Sequence, residues 1–206
     1  MKKSIIIPTM WIVPKLLKKM LEKYEESKYI KEIILIDNNP ELSEDISKLK
    51  KIRYYPQKRN LYVNSSWNLG VELAKYDPII ANDDIEWFDV DYLIEEVEKT
   101  NYDLVGASYC KHPSLKVTIS SINYWGGGSV FGSLMFIKNY KPIPDEIKIW
   151  YGDNWLYSHA KNPAIFKGIW FTNQSATINY MPLMIGHILE NDKKIYYGFK
   201  EKGKLQ

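Results

Sequence analysis

Hydrophobic and polar residues alternate with two different periods along the first half of the chain. Two short β-branched runs, "SIIIPT" (4–9) and "EIILID" (32–37), are typical of buried strands. Between them Pro14 suits a first helical turn, and apolar residues then recur at helical spacing. Those residues are Leu16, Leu17, Met20, Leu21 and Tyr24. The pattern predicts a strand, a helix and a second strand.

Three further runs extend this alternation: "IRYYP" (52–56), "PIIAN" (78–82) and "DLVGASY" (103–109). The segment "NSSWNLGVELAKY" between the first two predicts a helix capped by Asn64, Ser65 or Ser66. A second predicted helix is capped by Asp89 and runs to about Lys99. Strands and helices in this order predict an α/β fold with a mostly parallel central sheet and helices on both faces.

The second half of the chain has a different character. "SINYWGGGSVFGSLMFI" predicts a Gly-rich turn that leads into a strand, and "WYGDNWLYSHAKN" predicts a loop and a short helix. "GIWFTNQSATINYM" predicts antiparallel strands, and the tail "EKGKLQ" is typical of a disordered terminus. With no linker in the sequence, we expect residues 1–206 to form one domain, with a smaller antiparallel region toward the C-terminus.

Polar residues follow the predicted strands where each strand ends. They are Pro8-Thr9, Asp37-Asn38-Asn39 and Asn82-Asp83-Asp84. Because ligands of open α/β sheets bind at the carboxyl ends of the strands, we expect these three groups to line one edge.

Composition narrows the class of protein only slightly. The chain has 206 residues, 45% hydrophobic residues and a net charge of +3, which permits an anionic ligand without indicating nucleic acid. Its single cysteine, Cys110, excludes an internal disulfide and a cysteine metal cluster. The first apolar run is too short for a signal peptide, and no run has the length of a membrane span. We therefore expect a cytoplasmic protein, with peripheral membrane attachment left open.

Asp83 and Asp84 place two like charges at the end of an apolar strand, which is unfavourable without compensation. Carboxylate oxygens suit Mg²⁺ or Mn²⁺, which are commonly held by one or two carboxylates and substrate phosphates. An ordinary strand-end turn would also use these residue types. Both interpretations stay open at this point.

Asp153 lies among aromatic residues in "WYGDNWLY", where partial burial would raise its pKa toward that of a general base. Capping of the following helix is the alternative. His187 could ligate a metal, although a lone histidine is more often structural, and we interpret His112 and His159 as surface residues. "GGGS" (126–129) could cradle a phosphate, but a flexible loop is the preferred interpretation because no Lys-Ser/Thr follows it.

Five of these motifs occur together in an order that resembles a known family. "SIIIPT", "EIILIDNN", "NSSWNLGVELAKYDPIIANDDIEW", "GGGSVFGSLMFI" and "WYGDNWLY" resemble family-2-like glycosyltransferases of the GT-A (Rossmann-like) fold, over residues 4–157. The resemblance implies a nucleotide-binding half at about 1–107 and an acceptor-side half at about 108–206.

The resemblance also implies a UDP-sugar donor and a Mn²⁺ or Mg²⁺ ion. Thr9 and Asp37 match positions that hold the uridine, and 82–84 matches the Asp-x-Asp motif. Asp84 is therefore the implied metal ligand, Asp83 is expected near the ribose or sugar, and Asn82 is expected at the nucleotide. In some members a late histidine, matched by His187, completes the metal shell.

Asp153 matches the catalytic base of inverting members, so the implied reaction is inverting hexosyl or pentosyl transfer to a hydroxyl group. The sequence departs from the family pattern at three places. Asn82 replaces the first motif carboxylate, Tyr62 stands where glycine is frequent, and the acidic pair at the base is reduced to Asp153-Asn154.

The acceptor is not fixed by the sequence. A glycan or lipid-linked sugar is the commonest class, and a hydroxymethylated DNA base in a phage-infected host cell is a second option. Lys58 or Arg59 could pair with phosphate, and Trp125 or Trp150 could support a sugar ring, but a solvated turn and core packing are the respective alternatives. The rival functions are a non-catalytic nucleotide or carbohydrate binder and a metal-dependent nucleotidyltransferase.

Overall fold

A computed structural model of the chain describes residues 1–87, 89–108, 116–122, 131–168, 171–174, 179 and 182–203. The strands are β1 (Lys3–Thr9), β2 (Ile30–Asp37), β3 (Ile52–Pro56), β4 (Asp77–Ala81), β5 (Ile85–Trp87), β6 (Leu104–Ala107), β7 (Thr118–Ser121), β8 (Leu134–Ile137), β9 (Pro163–Lys167) and β10 (Phe171–Asn173). The helices are α1 (Pro14–Glu26), α2 (Tyr62–Leu73), α3 (Val90–Glu98), α4 (Gly152–His159) and α5 (Pro182–Glu201). Short 3₁₀ turns lie at Pro40–Leu42 and Phe131–Ser133.

Eight strands form one sheet in the order β3-β2-β1-β4-β8-β6-β9-β7. β1 pairs in parallel with β2 and β4, and β6 pairs in parallel with β9. β8 lies between β4 and β6 and is antiparallel to both. A separate antiparallel pair joins β10 to β5. The predicted α/β class and the mostly parallel sheet are confirmed, with antiparallel pairing in the later strands.

Alternate residues of β1 pack into two separate cores. Ile5 and Ile7 face the core that α1 and α3 cover, whereas Ile6 faces the core that α2 and α4 cover. All three are almost completely buried. Each such side chain contributes roughly 1.5–3 kcal/mol on burial. A strand buried on both faces reads as a continuous apolar run, which is why "SIIIPT" lacks polar alternation.

The two predicted helix caps have different outcomes. The Asp89 carboxylate accepts the backbone N–H of Tyr92 at 2.9 Å, which confirms it as the cap of α3. The predicted cap of α2 is wrong, because α2 begins earlier, at Tyr62, and Leu61 precedes it without a side-chain cap. Asn64 and Ser66 are completely buried and use their side chains in tertiary hydrogen bonds instead.

The sequence did not predict β5, β7, β9 or α5. β10, which lies in the segment "GIWFTNQSATINYM", forms an antiparallel pair as predicted, and its partner is β5. Residues 175–178 of that segment lie outside the described residues. α5 packs Ile195, Tyr196 and Phe199 against the core that contains Ile6. The predicted disordered tail is only partly described: Glu201 ends α5, and 204–206 lie outside the described residues.

The helices of the described residues include none that is both long enough and apolar enough to cross a membrane.

Replacing Gly70 or Gly198 by alanine should change the stability of the fold in opposite directions. A Cβ at Gly70 of α2 would lie 2.2 Å from Ile6 Cγ2 in the buried α2–β1 contact, whereas a Cβ at Gly198 of α5 would meet nothing within 4 Å. We expect Gly70→Ala to destabilise the fold by about 1–3 kcal/mol through overpacking. Gly198→Ala should stabilise it by up to about 1 kcal/mol through helix propensity. Urea unfolding of both variants measures these changes, and equal effects would contradict the packing.

Candidate active site

A cavity of about 330 Å³ lies at the carboxyl ends of β1, β2 and β4. The polar strand-end residues that line it are Thr9, Asn38, Asn82, Asp83 and Asp84. Asp153 of α4 lines the same cavity, and Met184 and Ile185 of α5 close one side of it. Except for Asp37 and Asn39, the strand-end residues and the candidate base therefore line one cavity, as the sequence predicts.

Asp83 is held in place by β1. The Thr9 hydroxyl donates to Asp83 Oδ2 at 2.7 Å and accepts the backbone N–H of Trp11 at 2.9 Å. Burial raises the pKa of Asp83 to about 7, an effect that the Thr9 hydrogen bond opposes and the neighbouring Asp84 charge reinforces. Two adjacent carboxylates disfavour ionisation of each other, so a raised pKa is expected here when no cation is bound.

The oxygen atoms of residues 82–84 fit a hard cation. Asp84 is only 7% exposed. The side-chain oxygen of Asn82 is buried without a hydrogen-bond partner among the described residues, although the Asn82 backbone N–H donates to Ser133. A neutral acceptor oxygen and two carboxylates in one cavity match the ligands that Mg²⁺ and Mn²⁺ prefer.

His187 lies on an exposed part of α5 and is not among the residues that line the cavity. Within the described ranges, no cluster of three or more His, Cys, Asp or Glu residues could hold a metal. A cation at Asp83 and Asp84 would thus depend on substrate oxygens for further ligands, as Mg²⁺ commonly does. Ligation by His187 stays a prediction.

The raised pKa of Asp83 predicts how stability depends on pH without divalent cations. Its folded value of about 7 exceeds the ~3.9 of an unfolded aspartate, so the folded protein binds this proton more tightly. Its stabilising contribution is therefore full below about pH 4 and lost as pH rises through about 7. We expect the free energy of unfolding to fall more steeply between about pH 5 and 8 in the wild type than in Asp83→Asn.

Urea unfolding at both pH values in chelator measures this difference, with the exposed Asp145→Asn as the control. The same pH dependence in wild type and Asp83→Asn would contradict the prediction.

Asp37 is completely buried, and its oxygens already have protein partners. Oδ2 accepts the Trp11 indole N–H and the Tyr54 hydroxyl, both at 2.7 Å, and Oδ1 accepts the Asn39 backbone N–H at 2.9 Å. Among the residues that line the cavity, β2 is represented by Asn38 and not by Asp37. The structure therefore gives Asp37 a role in fixing Trp11 and Tyr54, while its contact with uridine stays a prediction.

Asp153 lies in the first turn of α4. Its Oδ1 accepts the Asn154 backbone N–H at 2.9 Å, and a Cβ at Gly132 would lie only 3.2 Å from its Oδ2. Burial raises the pKa of Asp153. Hydrogen bonds from the backbone N–H groups of Asn154, Asp153 and Gly132 partly offset this increase. The pKa shift has the direction that the aromatic surroundings predict. The capping alternative is wrong, because Tyr151 and not Asp153 precedes the helix.

Three non-glycine residues in the described part of the chain have positive φ; Tyr62 lines the cavity, and the other two each follow a lining residue, Met10 or Trp150. They are Trp11 (58°), Tyr62 (62°) and Tyr151 (62°). Tyr62 occupies the position where the sequence comparison expects glycine, and its left-handed backbone explains why glycine suits it. Such strain concentrates at functional sites, where the surrounding structure imposes it. The family resemblance points to this conformation at Tyr62, but no sequence signal marks Trp11 or Tyr151, since glycine is its usual indicator.

The remaining sequence candidates have mixed outcomes. Trp150 lines the cavity, as do the apolar residues Met10, Ile149, Met184 and Ile185, which sequence reasoning missed. Lys58 and Arg59 are exposed in the turn after β3 and do not line it. His159 is half-buried and its Nδ1 lies 2.8 Å from the Trp155 carbonyl. His112, Trp125 and the 126–129 "GGGS" segment lie outside the described residues.

The family described as Glycosyl transferase family 2 matches residues 4–166 of the chain. That range includes every motif on which the sequence resemblance rests, and it stops before α5. No curated protein matches the chain.

Solved structures give the same fold at low sequence identity. S. aureus TarS 1-349 in complex with UDP has a TM-score of 0.60 at 13% identity, covering 81% of this chain and 60% of that chain. The same protein with UDP-GlcNAc has a TM-score of 0.54 at 11% identity, covering 81% and 58%. GalNAc-T7 with UDP, GalNAc and Mn²⁺ has a TM-score of 0.56 at 11% identity, covering 82% and 44%. This chain thus spans 44–60% of the length of these structures.

Proposed function

The chain belongs to glycosyl transferase family 2 and has the GT-A fold, and on that premise we propose that it transfers a sugar from a UDP-sugar to a hydroxyl acceptor. The proposed reaction inverts the anomeric configuration and depends on Mn²⁺ or Mg²⁺. We further propose Asp153 as the base, Asp84 as a metal ligand and Thr9, Asp37, Asn82 and Asp83 as donor-site residues. His187 is the proposed late ligand.

One observation carries this proposal: Asp83, Asp84 and Asp153 line a single cavity, although the strands β5 to β8 lie between Asp84 and Asp153 in the sequence. A diphosphate and an attacking hydroxyl both have to reach the anomeric carbon, so a transferase needs its leaving-group site and its base in one enclosure. UDP in the similar S. aureus TarS structure, and Mn²⁺ in GalNAc-T7, support the donor and the cation.

In the proposed mechanism, Asp153 accepts the proton of the acceptor hydroxyl as that oxygen attacks the anomeric carbon. The bond from the anomeric carbon to the diphosphate oxygen breaks, and UDP leaves. The N–H groups that bind Asp153 keep its half-buried carboxylate oriented toward the acceptor. Thr9 holds Asp83 beside the donor. A divalent cation at Asp84, when bound, would neutralise the charge that develops on the diphosphate.

The residues also explain why a binder without activity is the weaker candidate. A half-buried carboxyl such as Asp153, whose pKa is raised by desolvation, is unfavourable for folding and unnecessary for holding UDP. The donor sugar and the acceptor class, glycan, lipid-linked sugar or modified DNA base, depend on contacts that these residues do not fix.

Release of UDP from a panel of UDP-sugars tests the proposal. We expect slow hydrolysis of at least one donor with Mn²⁺ or Mg²⁺, and loss of that activity when a chelator is added. Restoration by excess Mn²⁺ is the control for chelator side effects. Undiminished turnover in chelator would contradict the metal dependence. Binding of UDP without turnover of any donor, with glycan and hydroxymethylated DNA acceptors supplied, would favour the non-catalytic binder.

A further inference from the structure

The segment that leads into α4, residues 147–150, is bound by a carboxylate of α5. Asp192 is completely buried. Its Oδ1 accepts the backbone N–H of Lys148 at 3.0 Å, and its Oδ2 accepts those of Ile149 at 2.8 Å and Trp150 at 2.9 Å. A buried carboxylate requires such partners, and hydrogen bonds to a charged group are about twice as strong as neutral ones.

A side chain of α2 binds the carbonyl groups of the same segment. Asn64 is completely buried, and its Nδ2 donates to the Ile147 carbonyl at 3.1 Å and to the Trp150 carbonyl at 3.4 Å. The Asn64 backbone N–H donates to the Lys148 carbonyl at 3.0 Å. A Cβ at Gly152 would lie 2.1 Å from Asn64 Oδ1, so the first residue of α4 touches the same amide.

This clamp, formed by Asn64 and Asp192, acts on the residues that precede the proposed base. Trp150 lines the cavity, Tyr151 takes the left-handed φ of 62°, and Asp153 follows two residues later. A left-handed tyrosine is unfavourable and persists only where its surroundings impose it. Hydrogen bonds on both the N–H and the carbonyl groups of the preceding segment supply that constraint.

We propose that Asn64 and Asp192 are positioning residues that set the location of the Asp153 carboxylate. Asp192 lies beyond residues 4–166, the range that the family matches. The inference rests on the proposed function in one respect, because it takes Asp153 as the base. The structural part of the inference, that Asp192 fixes the backbone of residues 148–150 before α4, does not depend on any activity.

The variant Asp192→Asn replaces one carboxylate oxygen by an amide donor that faces backbone N–H groups. We expect kcat to fall by about 10–100-fold, because displacement of a catalytic group by about 1 Å costs that much. The dissociation constant for UDP should change by less than about threefold, since the strand-end residues are untouched. Glu201→Gln, an exposed acid-to-amide change on the same helix, is the matched control.

A folded Asp192→Asn protein with wild-type kcat would overturn the inference, as would equal losses of kcat and UDP affinity. If Asp192→Asn does not fold, Gly152→Ala tests the other half of the clamp, because its methyl group displaces the Asn64 amide. The same selective loss of kcat is expected there, and a wild-type kcat would again overturn the inference.

Hydrogen exchange supplies a readout without turnover. In the wild type, we expect the amides of residues 148–150 to exchange as slowly as those of β1, although they lie in a loop. In Asp192→Asn these amides, and that of Asn154, should exchange on the order of tenfold faster while β1 is unchanged. Rapid exchange in the wild type, or no change at Asn154, would overturn the inference. Absence of wild-type turnover would instead contradict the proposed function.

Discussion

Replacement of Asp153 by asparagine should lower kcat by about 10²–10⁴-fold, the range that general base catalysis contributes. The asparagine keeps the shape of the side chain but cannot take the acceptor proton. UDP affinity should stay near the wild-type value because Thr9, Asp83 and Asp84 at the ends of β1 and β4 are unchanged. Steady-state UDP release with an acceptor, together with calorimetry for UDP, measures the two effects separately.

The pH dependence of kcat provides a second test of Asp153 as the base. Since burial raises the pKa of Asp153, the base is protonated and inactive at low pH, and kcat should rise as pH increases through that raised value. Asp145→Asn, an exposed change shortly before α4, is the control and should keep the wild-type profile. A fully active Asp153→Asn protein would rule out this residue as the base.

Replacement of Asp84 by asparagine should weaken binding of UDP in Mn²⁺ by about 100-fold or more. Loss of a metal contact is expected to exceed the about 10–100-fold effect of residues that only support ligands. Asp84 is almost fully buried, where a bound cation would offset its charge. Calorimetry of UDP with Mn²⁺ and with chelator measures the change.

Asp77→Asn is the matched control, because Asp77 lies at the opposite end of β4 and is exposed. It should bind UDP as the wild type does. If Asp84→Asn and wild type bind UDP equally in Mn²⁺ and in chelator, Asp84 does not hold the cation.

The fold could be predicted where local pattern and burial agree. β1 and β2 are apolar on both faces, and α1 places Leu17, Met20 and Tyr24 on one buried stripe, so periodicity alone identifies them. α5 was not predicted, because Gly186 and Gly198 lower its helix propensity and its buried positions depend on tertiary contacts. β5 and β10 are three residues each, too short for a clear period.

The candidate site was predictable to the extent that strand ends meet at one edge of a sheet. Thr9, Asp83 and Asp84 follow that rule, whereas Asp153 was singled out by its aromatic neighbours and matched to the base by the family resemblance. The rule fails for Asp37, whose carboxylate turns to Trp11 and Tyr54, since a strand end does not determine which way its side chain points. The clamp by Asn64 and Asp192 has no sequence signature, because it joins residues more than 40 positions apart.

Calorimetric titration of UDP into the wild type, Asp84→Asn and Asp153→Asn, each with Mn²⁺ and with chelator, tests the central claim most directly. The claim is that one cavity holds a cation-dependent donor site beside a separate base. It predicts Mn²⁺-dependent binding in the wild type and in Asp153→Asn, and loss of that dependence in Asp84→Asn. No binding of UDP to the wild type with Mn²⁺, or binding by the wild type that is as tight in chelator as in Mn²⁺, would contradict it.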